Sequence, residues 1–494
     1  MKRFLTILFT ALLLTAALCV TASASDYDAV AKDLSAIGMF RGTAGGFELD
    51  RTPTRSEAAI MLVRLYGAEE EARAAYEAGE IRHPFNDVSD FAAPYVAWVY
   101  TNGISNGTSA TTFGSADKCS AQNYVVFLLR ALGYKDGTDF QYAEAKDFAV
   151  TKGLMDLSFY TGEFLRDDLA AVTYQALACD LADGSTYLLD SLIQDGAVDA
   201  DAAKPITEKI TNYQALLDAT YSTLQNSIDA NISMKMDMGL SFSGSALEDP
   251  EVAAMLADTA MNDMNIALDA SGRVQMILAE EPQMAMTLKM NATAMGEKES
   301  GEVSYWLKDG WVYIQVTESG ETFQAKYQME GLDEFMETYQ ELMQLSTQIG
   351  GSASLPYIDS ITVSKSGSNT VYTVTYSDGI NGLFDDILGA VMAEVPDEDL
   401  EGLGMSLSLD SCSYTYTLNS KGELKVCTAV LDMNMGMDMS DEEIGSLSMV
   451  YNIKADVKMD INATDSGVKI QYPSKLSKFP EIVGGNSPLP LQTA

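Results

Sequence analysis

The spacing of apolar residues divides the chain into two parts with different periodicity. Between residues 27 and 190, apolar positions recur every three or four residues, as in Ser56–Tyr66 and Ala121–Leu132. That spacing is typical of amphipathic helices. A polar stretch rich in Ala and Asp follows at residues 195–205 and predicts a linker. Beyond the linker, apolar and polar residues alternate, which is typical of half-buried strands.

The alternating part predicts an α+β domain over residues 206–475. One helix, at about Ile206–Gln225, precedes period-two segments such as Ile232–Phe242, and Asp309-Gly310 marks a tight hairpin turn. The pattern predicts about ten antiparallel strands in a large curved sheet that is covered on one side by helices. These helices are expected at about Pro250–Thr259, Leu332–Thr347 and Ile380–Met392.

The first 24 residues have the organisation of an export signal. Lys2 and Arg3 precede an apolar run, and Ala22-Ser23-Ala24 forms a small-x-small cleavage site. This predicts a signal peptide over residues 1–24 and a secreted mature chain. No later stretch reaches the ~20 apolar residues of a membrane-spanning helix, so we expect a chain that does not span a membrane. Residues 476–494 are predicted to form a C-terminal tail.

Composition restricts the function classes. The 494 residues carry a net charge of −40 and contain one histidine, His83. This acidity argues against a nucleic-acid partner, because phosphate binding needs a clustered basic face. A single histidine also argues against His-based metal sites and against Ser-His-Asp or Cys-His catalysis. We therefore expect a protein that is not an enzyme and has neither a cofactor nor a metal site.

An internal repeat runs through the helical part. Ile37–Gly42 (IGMFRG) matches Asn102–Gly107 (NGISNG), and Lys152–Met155 (KGLM) is a third copy. The three copies are placed at about residues 27–67, 83–134 and 140–190. Each is followed by a predicted helix start, and these starts align as Thr54–Glu57, Cys119–Gln122 and Leu165–Asp168. In the first, Thr54 and Glu57 have the spacing of a capping box.

The middle copy contains the most specific motifs, which are Phe85-Asn86-Asp87-Val88, Ala93–Trp98, Asn102–Thr108 and Phe113. On these residues the helical part resembles the S-layer homology domain, a module that attaches surface proteins to bacterial cell walls. The resemblance implies an all-α prism of three repeats over residues 25–194. It also implies grooves between the repeats that bind a pyruvylated secondary cell-wall polysaccharide.

In that family the arginine at the helix start supplies much of the polysaccharide contact. Arg55 with Glu57, and Arg166 with Asp168, match the motif, whereas Ser120 replaces the arginine in the second copy. A planar guanidinium binds a carboxylate bidentately, and a helix N-terminus favours an anion. The resemblance therefore implies contacts at Arg55, Glu57, Arg166 and Asp168, and a weakened groove at Ser120. The alternative is that both arginines are solvated charges at helix starts.

Methionines give the second part a further candidate site. All but four of the 26 methionines follow residue 205, and many recur at period two, so that each set shares one strand face. Three interpretations stay open: a solid core with Met as filler, an adaptable apolar cavity, and Cu(I) binding, which the absence of interleaved His or Cys disfavours. The candidate hydrophobic cleft comprises Met234, Met236, Met238, Met284, Met286, Trp311, Tyr313, Met433, Met435 and Met437. For Trp311 and Tyr313, cross-strand packing is the alternative.

The second part resembles another family through three features. These are the leading helix, the strand Ile232–Phe242 and the segment Tyr305–Tyr313 (YWLKDGWVY). This part is similar to exported bacterial lipoproteins whose fold is shared with lipoprotein-localisation carriers and with periplasmic domains of sigma-factor regulators. This resemblance implies a half-barrel of antiparallel strands, wrapped over helices around an apolar cleft. Cys412 and Cys427 flank a hairpin-like segment, where a disulfide and two buried free thiols are both open.

We therefore expect a cell-wall-anchored surface protein, located in the cell wall or S-layer. Its repeats would bind the polysaccharide non-covalently, and its half-barrel would bind a hydrophobic, lipid-like ligand or a partner. The alternative is a purely structural S-layer or envelope component with a solid-cored second domain. A carboxylate-dependent hydrolase is less favoured, because no motif selects a pair of acidic residues.

Overall fold

A computed structural model describes most of the chain between residues 27 and 481. The described residues are 27–43, 45–155, 163–224, 226–250, 254, 265–279, 281–294, 297–318, 320–328, 354–377, 403–441 and 445–481. The predicted signal peptide lies outside them, as do the helices predicted near residues 250–259, 332–347 and 380–392, apart from residues 250 and 254. Two compact units are present, a helical unit (22–214 and 347–359) and a sheet unit (215–346 and 360–494).

The helical unit follows the predicted periodicity. Its helices are α1 (Asp28–Ala36), α2 (Arg55–Leu65), α3 (Glu69–Ala78), α4 (Ala93–Thr101), α5 (Ala121–Ala131), α6 (Ala145–Thr151), α7 (Arg166–Leu177), α8 (Leu188–Gln194) and the portion of α9 (Ala200–Leu224) up to Gln214. The capping box of α2 forms: the Thr54 hydroxyl accepts the Glu57 N–H, and the Glu57 carboxylate accepts the Thr54 N–H. Because α9 begins at Ala200, the last residues of the predicted linker are helical.

Helix starts dock on loops of other copies. The Arg55 N–H donates to the Asp117 carbonyl over 2.9 Å, which joins the first helix start to the loop of the second copy. The Arg166 N–H donates to the Arg51 carbonyl over 2.9 Å, which joins the third helix start to the loop of the first. Backbone donors that a helix start leaves unsatisfied are thereby paired. Both helix-start arginines consequently lie at junctions between copies.

Glycines allow the tight loops of the repeat. Gly103 and Gly107 of the second copy have φ values of +69° and +76°. Around Gly103 there is open space, whereas a Cβ on Gly107 would lie 2.5 Å from the Phe85 ring and 2.6 Å from the Thr112 carbonyl oxygen. The second position therefore requires glycine for two reasons, the left-handed backbone and the close approach.

Among the described residues, the sheet unit contains eleven strands in one antiparallel sheet, close to the predicted number. They are β1 (Ile228–Ser243), β2 (Asn265–Ile277), β3 (Gln283–Ala294), β4 (Glu297–Lys308), β5 (Trp311–Glu318), β6 (Glu321–Gln328), β7 (Ile358–Ser366), β8 (Asn369–Tyr376), β9 (Leu403–Leu418), β10 (Leu424–Asp441) and β11 (Gly445–Thr464). The order is β6-β5-β4-β3-β2-β1-β11-β10-β9-β8-β7, so the first and last strands of the domain pair at its centre. Since β6 and β7 are its two edges, the sheet is not closed into a barrel.

At the centre of the sheet, the register gives one apolar and one polar face. Met234 pairs with Ala270 on one side and with Val457 on the other, and Ala270 pairs with Met290. A core cluster on this face combines Met234, Leu268 and Ala270 with partly buried neighbours that include Met236 and Met290. Since successive side chains alternate, Lys235 and its cross-strand partners Asp269 and Asp456 lie on the opposite face.

The chain end after β11 packs on that opposite face. Leu476 and Phe479 form a cluster with Ala285 and Trp306, and the Lys326 N–H donates to the Pro480 carbonyl over 2.8 Å. Part of the predicted tail is therefore ordered against β3, β4 and β6.

The four described cysteines are buried. Cys412 pairs with Leu431 and Cys427 with Tyr416, so the two cysteines share a face but are separated by four positions along the strands. At about 3.3 Å per residue this offset is roughly 13 Å, far beyond disulfide reach.

We predict that Gly107→Ala destabilises the helical unit much more than Gly103→Ala. Each substitution forces a β-carbon into left-handed backbone, at a cost of about 1–2 kcal/mol. Only Gly107→Ala adds a steric clash, which raises its cost to at least about 3 kcal/mol. Denaturant unfolding of the two variants checks this, and equal losses would contradict the packing argument.

Candidate functional site

Arg55 stands at the start of α2, half-buried at the junction of the first and second copies. Its Nε donates to the Phe113 carbonyl over 3.2 Å, and its guanidinium lies 5.3 Å from the centre of the Phe113 ring. One terminal nitrogen is 3.5 Å from the Ser105 hydroxyl. Among the described residues, no carboxylate forms an ion pair with Arg55, so the guanidinium is positioned by neutral groups and its charge is available to an anion.

The loop below Arg55 is fixed by Asp87. Its carboxylate accepts the N–H groups of Phe113, Gly114 and Ser115 over 2.8–3.0 Å. Burial opposes ionisation, but these three donors outweigh it and hold the pKa of Asp87 below its ordinary value. Phe85 packs against Phe113 with ring centres 5.5 Å apart. The aspartate and phenylalanine of the Phe85–Val88 motif therefore position the partners of Arg55.

Arg166 has a different environment, although it aligns with Arg55 in sequence. Its side chain is 4% exposed and forms an ion pair with Glu57 at 3.0 Å. Its Nε donates to the Phe47 carbonyl over 2.9 Å, and its guanidinium stacks 4.8 Å from the centre of the Phe40 ring. Burial lowers the pKa of Arg166, and the charge of Glu57 partly offsets that effect. The contacts of Arg166 therefore lie within the junction between the third and first copies.

Glu57 connects three parts of the helical unit. Besides Arg166 and the Thr54 N–H, its carboxylate binds the Arg51 guanidinium at 2.6 Å. Burial alone would raise the pKa of Glu57, but the hydrogen bonds from Arg51 and Thr54 and the charge of Arg166 lower it to about 2. Glu57 is therefore ionised throughout the neutral range and holds the copies together.

The four predicted polysaccharide contacts thus separate into different environments. Glu57 and Arg166 meet directly, Asp168 accepts the Leu165 N–H over 2.7 Å at the start of α7, and Arg55 lies at another junction. Sequence reasoning did not identify three residues as partners of these side chains. Arg51 carries no spacing signal, whereas Phe47 and Phe113 precede the aligned helix-start positions by eight and seven residues, a signal that could have identified them.

The predicted cleft residues do not share one face. Met234 is buried, and the other seven methionines of the set are half-buried on the apolar face. Val312 pairs with Leu307, which pairs with Met284, so Trp311 and Tyr313 point to the opposite face.

On that face, Tyr313 contacts Phe479 at 6.0 Å between ring centres, and the Lys326 ammonium lies 4.6 Å from the centre of the Trp311 ring. The two aromatic residues therefore do not join the methionines in one cleft. The physical reason is the parity of the Lys308–Trp311 hairpin, which turns Trp311 away from the methionine face.

In the described part of the chain, no group of three or more His, Cys, Asp or Glu side chains is arranged to hold a metal ion. Across the same residues, no helix combines the length and the apolar content needed to cross a membrane.

A known protein family matches residues within each of the two parts of the chain. Residues 84–119 match the S-layer homology domain, which confirms the middle copy of the repeat. Residues 208–478 match a family of unknown function, DUF6612, and this match spans more than half of the chain. The chain belongs to the DUF6612 family. The S-layer homology domain additionally supports a location at the cell surface.

Two individual proteins are similar to parts of this DUF6612 chain. A "Cell surface protein" of Thermoanaerobacter kivui is 29% identical over 163 residues, which are 31% of this chain and 21% of the relative, so the match spans about a fifth of that protein. A solved beta-barrel-like protein of the domain of unknown function DUF1849 from Brucella abortus covers 48% of this chain and 98% of its own. It has 11% identity and a TM-score of 0.11, too low to inform the fold.

We predict that acid weakens the junction at Glu57. Because its pKa is lowered from an ordinary 4.5 to about 2, the stabilisation is complete above about pH 4.5 and is lost as the pH falls towards 2. The contribution is on the order of 3 kcal/mol. Unfolding measured against pH should show Glu57→Gln destabilised at pH 7 and converging with the unmodified protein near pH 2. Glu80→Gln, at an exposed position, is the control. If the stability of Glu57→Gln ran parallel to that of the unmodified protein at all pH values, the assignment would be contradicted.

Proposed function

We propose that this protein is held non-covalently at the cell wall, and that the groove at Arg55 binds a pyruvylated secondary cell-wall polysaccharide. The observation that carries the proposal is the Arg55 guanidinium, which is oriented by Phe113 and lacks an ion-pair partner in the described residues. A ketal-linked pyruvate presents one carboxylate, which a guanidinium can bind through two parallel hydrogen bonds. The confirmed S-layer homology domain and the similarity to a cell surface protein support this location.

The proposal includes a three-copy arrangement over residues 25–194. In support, Arg55 and Arg166 donate from Nε to the equivalent carbonyls of Phe113 and Phe47, each on a different copy. The polymer contact is assigned to Arg55, because the nearly complete burial of Arg166 and its ion pair with Glu57 leave it little access to a polymer. Glu57, Arg166 and Asp168 then act by holding the junctions, and Ser120 stands where the other two helix starts carry an arginine.

We predict that Arg55→Ala lowers cosedimentation with purified cell walls by at least about tenfold, since it removes a charge-assisted bidentate contact. Arg55→Lys should lose most of the binding as well, because an ammonium cannot replace the planar fork. Removing pyruvate from the polysaccharide should lower the cosedimentation of the unmodified protein to the same extent. Arg41→Ala, which removes another exposed arginine of the first copy, is the matched control. Unchanged sedimentation of Arg55→Ala would defeat the groove assignment.

For residues 206–475 we propose a half-barrel whose apolar face binds a hydrophobic, lipid-like ligand or partner. The supporting observation is that seven methionines on one face are only half-buried, as expected of an adaptable wall. A purely structural S-layer or envelope component with a solid core is the second candidate. Both candidates assign binding or packing to this unit, and neither includes a catalytic step.

We predict that the folded chain binds the fluorescent probe 1-anilinonaphthalene-8-sulfonate, and that the double substitution Met236→Gln and Met435→Gln weakens this binding several-fold, because it makes the wall polar. Lys235→Gln, on the opposite face of the same strand, should leave binding unchanged. A folded chain that binds no probe would favour the solid-cored structural component.

A further inference from the structure

A short segment between β6 and β7 is part of the core of the helical unit. Leu355–Tyr357 forms one 3-10 turn directly before β7, and Ser354, Leu355, Tyr357 and Ile358 are between 0% and 5% exposed. These residues, Ser354–Ile358, are called the inserted segment below. They pack with residues 22–214, although Ser354 follows Gln214, the last residue of that range, by 140 positions.

Polar contacts fix the backbone of the inserted segment to α9. The Ser354 N–H donates to the Tyr213 hydroxyl over 3.1 Å, and the Ser354 hydroxyl also lies 3.1 Å from it. The Lys209 ammonium donates to the Ile358 carbonyl over 2.5 Å. Tyr213 is buried and Lys209 is half-buried, so without the segment these two polar groups would lose their partners where water has limited access, at a cost in stability.

Apolar contacts extend the same interface to α1 and α7. The Tyr357 ring lies 5.5 Å from the ring of Tyr27, which directly precedes α1, and the turn packs against α7. Lys209 also lies 5.2 Å from the centre of the Tyr174 ring on α7, and the Tyr174 hydroxyl bonds the Asp33 carboxylate on α1 over 2.9 Å. The segment therefore contacts the first and the last copy of the repeat together.

We propose that the inserted segment is an obligatory part of the wall-anchoring unit, which reaches its full stability only when this piece of the DUF6612 half is in place. Residues 25–194 alone would leave the surfaces that receive Leu355, Tyr357 and Ile358 open to water. The anchoring unit of this chain is therefore completed only after residue 358 has been exported and folded, and it is not a separable module. The inference concerns packing and holds whether or not the Arg55 groove binds polysaccharide.

Amide hydrogen exchange on the full chain tests the proposal. Tyr357→Ala should lower protection in α1 and α7 roughly a hundredfold, as expected for a large core truncation that acts locally. Protection in β1 and β2 should stay within about twofold, because the sheet core at Met234 is not part of this interface. Val363→Ala, at a position on β7 that is 45% exposed, is the matched control and should change neither region.

A second variant, on the α9 side of the interface, removes only one hydroxyl group and so disturbs the fold less. Tyr213→Phe keeps the ring but leaves the Ser354 N–H without its acceptor, and it should lower protection at Ser354 and in α1 by about tenfold. If Tyr357→Ala prevents folding, the Tyr213→Phe result decides alone. Unchanged protection in α1 and α7, or an equal loss across the sheet, would overturn the proposal.

Discussion

The Glu57 carboxylate is the contact on which the helical unit depends most. It caps α2, pairs with Arg51 beside it and receives the buried Arg166 from the third copy. A buried guanidinium is costly unless a carboxylate and further acceptors satisfy it, and here Glu57 and the Phe47 carbonyl do so. Loss of this one carboxylate would affect a helix start and a junction between copies together. At this junction, the ion pair between Glu57 and Arg166 extends the local capping of α2 to a copy that is distant in sequence.

Two arginines with the same place in the repeat have different surroundings. Both donate from Nε to the carbonyl of a phenylalanine on another copy, and both lie against an aromatic ring. Only Arg166 faces a carboxylate, because the position that meets it carries Glu57, whereas Arg55 faces the Ser105 hydroxyl. The motif therefore predicts the position of a guanidinium. The residues of the neighbouring copy determine whether this guanidinium forms an ion pair.

Sequence patterns predicted those features that depend on interactions between residues close together in the chain. The capping box of Thr54 and Glu57, the Asp309-Gly310 turn and the shared face of the methionines were confirmed, because each depends on residues within a few positions. The burial of Arg166 and the insertion of Ser354–Ile358 depend on contacts across more than a hundred residues, which periodicity cannot reveal. The face of Trp311 was missed for a simpler reason: placing it required following the pairing from Met284 through Leu307 to Val312.

Charge and topology together constrain how such a chain can stay at a wall. Removal of Lys2 and Arg3 with the predicted signal peptide takes the net charge from −40 to −42, so an anionic polymer repels the protein at long range. Screening shortens that repulsion to about 8–10 Å at ordinary ionic strength, and attraction must come from contacts formed inside this distance. A guanidinium held by neutral partners, as Arg55 is by Phe113, is suited to such contacts, because no carboxylate among the described residues pairs with it. Its geometry in turn requires a rigid junction, and rigidity in the helical unit draws on Tyr357 from the other half of the chain. Retention at the wall is therefore expected to depend on the packing of Tyr357 within the helical unit, although this residue lies far from the anchoring repeats in sequence.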